Sequence, residues 1–248
     1  MPEPEAFPHP TSDASPLEEA TARLVRSVDA MDDDAWRAPS LLPGWSRAHV
    51  VAHLALNAEA LADVVGLAAR DEPAAMYASP EQRDADIDEL AGAAVTDLRE
   101  RFLASTTTYA DAVASLPDDG WRGTFDRTPG LLPRPMVGIP TMRLREVELH
   151  HVDLGLGATP ASWPEAFTVD LVEAMVGRRP TAAPLRLEAT DRGGTWELGG
   201  DDPAGAGRPT VVRGTTAGLG WWLSGRPAVP GTAGPTTDDG DLPGIEGL

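Results

Sequence analysis

Residues 46–69 read SRAHVVAHLALNAEALADVVGLAA, a long and largely apolar stretch. Ser46 is a typical N-cap residue, and Val50, Leu54 and Leu61 recur at intervals that place them on one face of a helix. The stretch therefore predicts a buried helix of about six turns, which is long enough to organise a helical domain.

Three further long helices are predicted around this one. A Ser-Pro capping box at Ser15 starts the first helix, and a similar Ser-Pro signal at Ser79 starts a long helix that continues through Val113. The last helix, PTMRLREVELHHVDL, is followed by Gly155, a residue suited to the position just after a helix end. Four helices joined by loops predict a four-helix bundle over residues 12–155.

The composition changes after the bundle, and we place a linker over residues 155–165. A short helix, three strands and a closing helix then predict a small mixed α/β domain over residues 163–228. Two of its strands, Leu185–Ala189 and Thr195–Leu198, read as a hairpin. Residues 229–248 are rich in Gly, Pro, Thr and Asp and are expected to form a loose tail. The predicted fold class is α+β, with a helix bundle followed by a small mixed α/β domain.

Composition and charge exclude several classes of function. The net charge of −19 disfavours nucleic acids and anionic membranes as partners, because binding to phosphate needs a basic surface. The chain has no Cys, so a disulfide framework, a thiolate metal site and a Cys nucleophile are excluded. The first ten residues, MPEPEAFPHP, lack the basic and apolar regions of a secretory signal, and we expect a cytoplasmic protein.

Histidine and glutamate residues form the one constellation with evident chemistry. Glu146 and His150 are four residues apart and share a face of the last helix, while His53 comes from the helix quoted first. Ligands from facing helices commonly build metal sites in bundle cores, and three N and O ligands leave a position open on zinc. Asp153 follows His150 by three residues and is a candidate acceptor for an imidazole N–H.

Spacing by itself leaves alternatives open. A Glu–His pair one helical turn apart is commonly just solvated. His49 and His53 are also four residues apart and offer a different pair. His151 points about 100° away from His150 around the helix, so the two are not equivalent ligands.

Three segments, SLLPGWSRAHVVAHLALNAEAL, MYASPEQRDADI and RLREVELHHVDLG, closely resemble the mycothiol-dependent maleylpyruvate isomerases. The first domain also resembles the wider DinB-like family of metal-binding bundles. The similarity covers the bundle and continues more weakly to GLGWWLSGR near the end of the second domain.

The resemblance implies a zinc ion held by His53, Glu146 and His150, with His49 and His151 either packing in the core or supporting the ligands. It implies mycothiol as the borrowed thiol nucleophile and conversion of maleylpyruvate to fumarylpyruvate in gentisate-type aromatic degradation. It also places the family's catalytic arginine at Arg226, through which the second domain contributes to the substrate site. The expected partners are therefore a small dicarboxylate and a low-molecular-weight thiol.

Two other functions fit the same sequence features. The first is a mycothiol S-transferase, or a detoxifying isomerase of another substrate, on the same scaffold. The second is a non-catalytic metal-binding or regulatory protein, in which the bundle serves as an interaction module. A scaffold has no need of an open metal position, which favours an enzyme.

Overall fold

The computed structural model describes residues 15–177, 184–199 and 209–245. It divides into two compact units, the first ending at Leu154 and the second beginning at Gly155. The helices of the first unit are α1 (Pro16–Asp29), α2 (Asp33–Arg37), α3 (Arg47–Ala68), α4 (Pro80–Gly92), α5 (Val95–Ser115) and α6 (Ile139–Asp153). Two short strands, β1 (Thr124–Phe125) and β2 (Arg134–Pro135), pair in the loop before α6.

Helix α3 is the centre of the first unit and packs against α4, α5 and α6, while α1 packs against α6. The core includes Leu54, Leu61 and Phe102, all fully buried, and it forms on the apolar face that the sequence predicted for α3. By length and composition α3 alone, within the described residues, is apolar enough to cross a membrane, but 72% of its most apolar window is buried inside the unit. Such burial is typical of a core helix.

The prediction of one continuous helix from Ser79 through Val113 is wrong. The segment forms two helices, α4 and α5, on either side of Ala93 and Ala94, whose backbone is extended with ψ of 171° and 143°. The apolar residues on both sides of the break still face the core. The predicted helical spacing of these residues was therefore right, and only the prediction of an unbroken helix was wrong.

The short helix α2 was not predicted, and it stabilises this break. Asp32 caps α2, and Trp36 is fully buried in the core. Arg37 donates to the carbonyl oxygens of Ala91 and Ala93 at 2.9 and 2.8 Å. These bonds satisfy carbonyl groups that the end of α4 leaves without helical partners.

The described part of the second unit contains two α-helices and a small sheet. Its elements are α7 (Glu165–Val176), β3 (Leu185–Ala189), β4 (Thr195–Leu198), β5 (Thr210–Gly214), α8 (Thr216–Leu223) and β6 (Thr236–Thr237). The sheet order is β4-β3-β5-β6, in which β3 and β5 are parallel and the other pairs antiparallel. The predicted hairpin is confirmed, and α7 packs on α8. The segment expected to be a loose tail contributes strand β6 to the sheet.

Candidate metal centre

Three side chains from α3 and α6 converge inside the first unit. His53 lies on α3 and is 4% exposed, because the surrounding face of α3 packs on its neighbours. Its Nε2 atom is 2.9 Å from Oε2 of Glu146 on α6. The Nε2 atom of His150, one turn further along α6, is 3.2 Å from the same carboxylate oxygen.

The donor set fits a divalent metal ion. One ligand atom from each of His53, Glu146 and His150 lies within 4.8 Å of the others. Zinc bonds to nitrogen and oxygen at about 2.0–2.2 Å, so tetrahedral ligands stand roughly 3.3 Å apart, which is close to the two contacts made by Glu146. Two imidazoles and one carboxylate also form a set that leaves a fourth position open for another ligand.

Asp153 contacts His150 on the ring nitrogen that faces away from Glu146. The Nδ1 atom of His150 lies 2.8 Å from Oδ2 of Asp153, whose side chain is fully buried. A carboxylate at Nδ1 keeps the proton on that nitrogen and leaves the Nε2 lone pair directed at the cluster. The sequence raised this role for Asp153, and the geometry agrees with it.

The electrostatic state of the cluster also suits a cation. Burial lowers the pKa of His53 to about 4, so its imidazole is neutral near neutral pH. Burial acts to raise the pKa of Glu146, but its side-chain contacts with His150 and His53 outweigh it and hold that pKa well below its usual range. A neutral imidazole of His53 beside an ionised carboxylate of Glu146 is the combination of protonation states that binds a metal ion.

The other two histidines of these helices make different contacts. Ring atom Nδ1 of His49 lies 2.7 Å from Oγ of Ser46 and completes the capping box that starts α3. Ring atom Nε2 of His151 lies 2.8 Å from Oγ of Ser27 on α1. Neither residue belongs to the cluster formed by His53, Glu146 and His150.

Polar residues that the sequence left without a role lie next to this cluster. An Nη2 atom of Arg83 is 3.3 Å from Nδ1 of His53, and the Arg83 guanidinium lies 5.8 Å from the centre of the Tyr77 ring. Burial raises the pKa of Tyr77, whose hydroxyl hydrogen-bonds to Asn57. Sequence periodicity could not single them out, because Arg83 and Tyr77 come from a helix start and a loop rather than from the metal-binding helices.

A comparison with family models places the first unit in a known family. Residues 17–155, more than half of the chain, match the model described as the mycothiol maleylpyruvate isomerase N-terminal domain. The chain belongs to this family. It is therefore an isomerase, as the sequence predicted.

Solved structures of the family resemble the whole chain. A crystal structure of a mycothiol-dependent maleylpyruvate isomerase is 27% identical, with a TM-score of 0.84 and coverage of 94% of both chains. A His-to-Ala mutant of such an enzyme is 26% identical, with the same TM-score and coverage. A search of curated proteins found no match. The predicted fold class is confirmed by this likeness.

The remaining predicted site residue, Arg226, lies in the second unit. It follows α8 and Gly225, which has a positive φ of 76°. Its guanidinium lies 5.5 Å from the centre of the Trp221 ring, and the indole N–H of Trp221 donates to the carbonyl oxygen of Pro227 at 2.7 Å. These contacts define the local conformation of Arg226 on its own unit.

Proposed function

We propose that this isomerase is zinc- and mycothiol-dependent and converts maleylpyruvate to fumarylpyruvate, a step in gentisate-type aromatic degradation. The observation that carries the proposal is the convergence of His53, Glu146 and His150 in a chain without Cys. Such a chain needs an external thiol if its reaction proceeds through a sulfur nucleophile. The names of the two similar structures supply both a thiol, mycothiol, and a substrate, maleylpyruvate.

His53, Glu146 and His150 would hold the zinc ion, with Asp153 orienting His150. When bound, zinc supplies a coordination position at which a thiol is deprotonated near neutral pH. His53, Glu146 and His150 would supply three of the four ligands of a tetrahedral zinc ion, so one position would be left for the thiol. Burial of His53 and His150 at 4% and 8% exposure limits access of bulk water to their side of the site.

Isomerisation of the substrate requires temporary loss of its cis double bond. A thiolate that adds to the conjugated system removes the π bond, the carbon–carbon bond rotates, and elimination of the same thiolate gives the trans product. No redox partner or water is consumed. The negative charge that develops on the carbonyl oxygen during addition needs a nearby donor or cation.

The substrate is a dianion, whereas the chain carries a net charge of −19. Long-range attraction is therefore unsuited to steering the substrate, and local Arg side chains must hold it. We assign one carboxylate of the substrate to Arg226, because guanidinium binds carboxylate through two parallel hydrogen bonds. A cytoplasmic location without membrane or nucleic-acid partners stays a prediction from composition.

Metal analysis and a thiol-dependent assay test this function together. Purified protein should contain about one zinc per chain, and activity on maleylpyruvate should require added mycothiol. Ala variants of His53, Glu146 and His150 should lose both metal and activity, whereas His151→Ala, which changes a neighbouring buried His, should keep the metal. Full zinc occupancy in His53→Ala or full turnover without thiol would contradict the proposal.

The same assay separates the related reactions on this scaffold. A mycothiol S-transferase would consume thiol stoichiometrically, whereas an isomerase regenerates it in every cycle. Arg226→Ala should lower kcat/KM by about 10- to 150-fold at unchanged zinc content, since a charge-assisted contact contributes about 1.5–3 kcal/mol. A decrease in kcat/KM of less than about twofold would show that Arg226 does not bind the substrate.

A further inference from the structure

The first unit contains an arginine beside the proposed metal ligands whose hydrogen-bonding capacity is only partly used. Arg83 lies in the first turn of α4 and its side chain is 22% exposed. One Nη1–H donates to Asp84 at 2.8 Å, and Nη2 faces Nδ1 of His53 at 3.3 Å. The Nε–H group is buried and has no acceptor among the described residues.

A buried donor without an acceptor costs free energy, and the Nε–H group of Arg83 is one such unused donor. The pair with Asp84 does not neutralise Arg83 effectively, since the Asp84 side chain is 65% exposed and the interaction is screened by solvent. The guanidinium also lies 5.8 Å from the centre of the Tyr77 ring, within the distance of a cation–π contact. Arg83 is thus a pre-positioned cation with spare donors.

The contact with His53 depends on which ring nitrogen carries the proton. Nδ1 of His53 accepts from Arg83 only while Nε2 carries the proton that is donated to Glu146. A neutral imidazole that binds a metal through Nε2 has its proton on Nδ1, and two N–H groups then face each other. Nη2 of Arg83 is thereby released as a donor for a new acceptor at the edge of the metal site.

Arg143 is another arginine that interacts with Glu146, and it is not available in this way. It is 2% exposed, and its Nη1 atom donates to the carbonyl oxygen of Leu54 and to Oδ1 of Asn57 at 2.9 and 2.7 Å. Its guanidinium also lies 5.9 Å from the centre of the Tyr109 ring. Arg143 is committed to the protein interior, whereas Arg83 is partly open to solvent.

We propose that Arg83 binds a carboxylate of the substrate beside the metal ligands of the first unit. The ligand class is a short dicarboxylate, whose oxygens match the planar donors of guanidinium. The inference rests on the proposed function for the identity of the substrate. The subsite itself rests on the contacts of Arg83 and can be tested apart from turnover.

The first test measures binding without chemistry. Maleate, the simplest cis dicarboxylate of this shape, is titrated by calorimetry into zinc-loaded protein without thiol. Arg83→Gln should weaken maleate binding about 10- to 100-fold, and Arg83→Lys should restore part of it because Lys keeps the charge but not the planar fork. Arg101→Gln is the matched control, since Arg101 forms an ion pair with Glu59 at 2.7 Å and should leave binding within about twofold.

The second test separates carboxylate binding from an effect on the metal. Zinc content should be the same in Arg83→Gln and wild type. Cobalt-substituted protein reports thiol binding through its thiolate absorption band, and the thiol affinity should also be unchanged in Arg83→Gln. With maleylpyruvate, the variant should show a raised KM and a kcat/KM about 10- to 100-fold lower.

The outcomes distinguish this subsite from the proposed function. Arg83-dependent maleate binding without isomerisation by wild type would refute the function and retain the subsite. Loss of zinc or of thiol affinity in Arg83→Gln, maleate binding equal to wild type, or no maleate binding by wild type would each overturn the proposal for Arg83.

Discussion

Replacement of Asp153 by Asn tests how the protein orients a metal ligand. Oδ2 of Asp153 lies 2.8 Å from Nδ1 of His150, and the side chain is fully buried. Asn has nearly the same shape and its amide oxygen can still accept from Nδ1–H, so the change removes mainly the negative charge. The backbone bond from Leu41 N to Asp153 O, at 2.7 Å, is unaffected.

Without the negative charge of the carboxylate, the imidazole of His150 becomes less basic and is a weaker ligand for the metal. Substitutions of such supporting groups typically lower metal affinity 10- to 100-fold. This range corresponds to about 1.4–2.7 kcal/mol of metal-binding free energy. Full burial of Asp153 removes solvent screening, so we expect the effect in the upper half of that range.

Zinc affinity is measured by competition with a chromophoric chelator at pH 7. Glu148→Gln is the control, because it removes another buried carboxylate from α6, one that is 2% exposed and pairs with Arg23 at 2.6 Å, away from the cluster. The control should keep its zinc affinity within about twofold. An affinity of Asp153→Asn within about threefold of wild type, in protein that unfolds cooperatively, would refute the orienting role of Asp153.

Three further predictions concern metal linkage and stability. Removal of zinc with EDTA should lower the Tm of wild type in a thermal scan, because zinc binds the folded state and stabilises it. The Tm of His53→Ala should not change, because this variant lacks one of the metal ligands. Phe102→Ala should lower the free energy of unfolding by about 3–5 kcal/mol in urea titration, since Phe102 is fully buried in the core against α3; a loss under 1 kcal/mol would contradict its core position. Ser46→Ala should lower it by about 1 kcal/mol, because the Ser46 side chain accepts from the backbone N–H of His49 at the start of α3, and an unchanged urea midpoint would argue against that cap.

The break between α4 and α5 illustrates what a single sequence does not reveal. The apolar spacing of Leu90, Leu98 and Phe102 continues across the break, so periodicity alone predicts one helix. The chain can leave the helix at Ala93 because Arg37, distant in sequence, bonds to the freed carbonyl oxygens. Such compensation is a tertiary contact and leaves no local signal.

Strand β6 and Arg83 were missed for related reasons. Thr236–Thr237 lies in a segment of turn-forming residues, and it becomes a strand only because β5 offers an unpaired edge. Arg83 lies in the family-like segment MYASPEQRDADI, but its proximity to His53, which depends on how α4 packs against α3, has no signal in the sequence. Pairing and packing over long sequence distances decide both features.

The sequence by itself determined the elements whose signals are local. Capping residues and helical spacing predicted the helices of the first unit and the hairpin of β3 and β4, and the absence of Cys limited any metal ligands to His, Asp and Glu. The i,i+4 spacing also put Glu146 and His150 on one face of α6. These features follow from backbone geometry over a few residues, which the side chains of the same segment control.

Only the tertiary structure decided which histidine completes the cluster. His49 and His53 are one turn apart on α3, and spacing could not choose between them. Packing of α3 on α6 brings Nε2 of His53 to 2.9 Å from Glu146, while the ring of His49 is held at the helix start by Ser46. The distance between two helices is fixed by the fit of their buried side chains, and that fit is a property of the folded protein rather than of either segment.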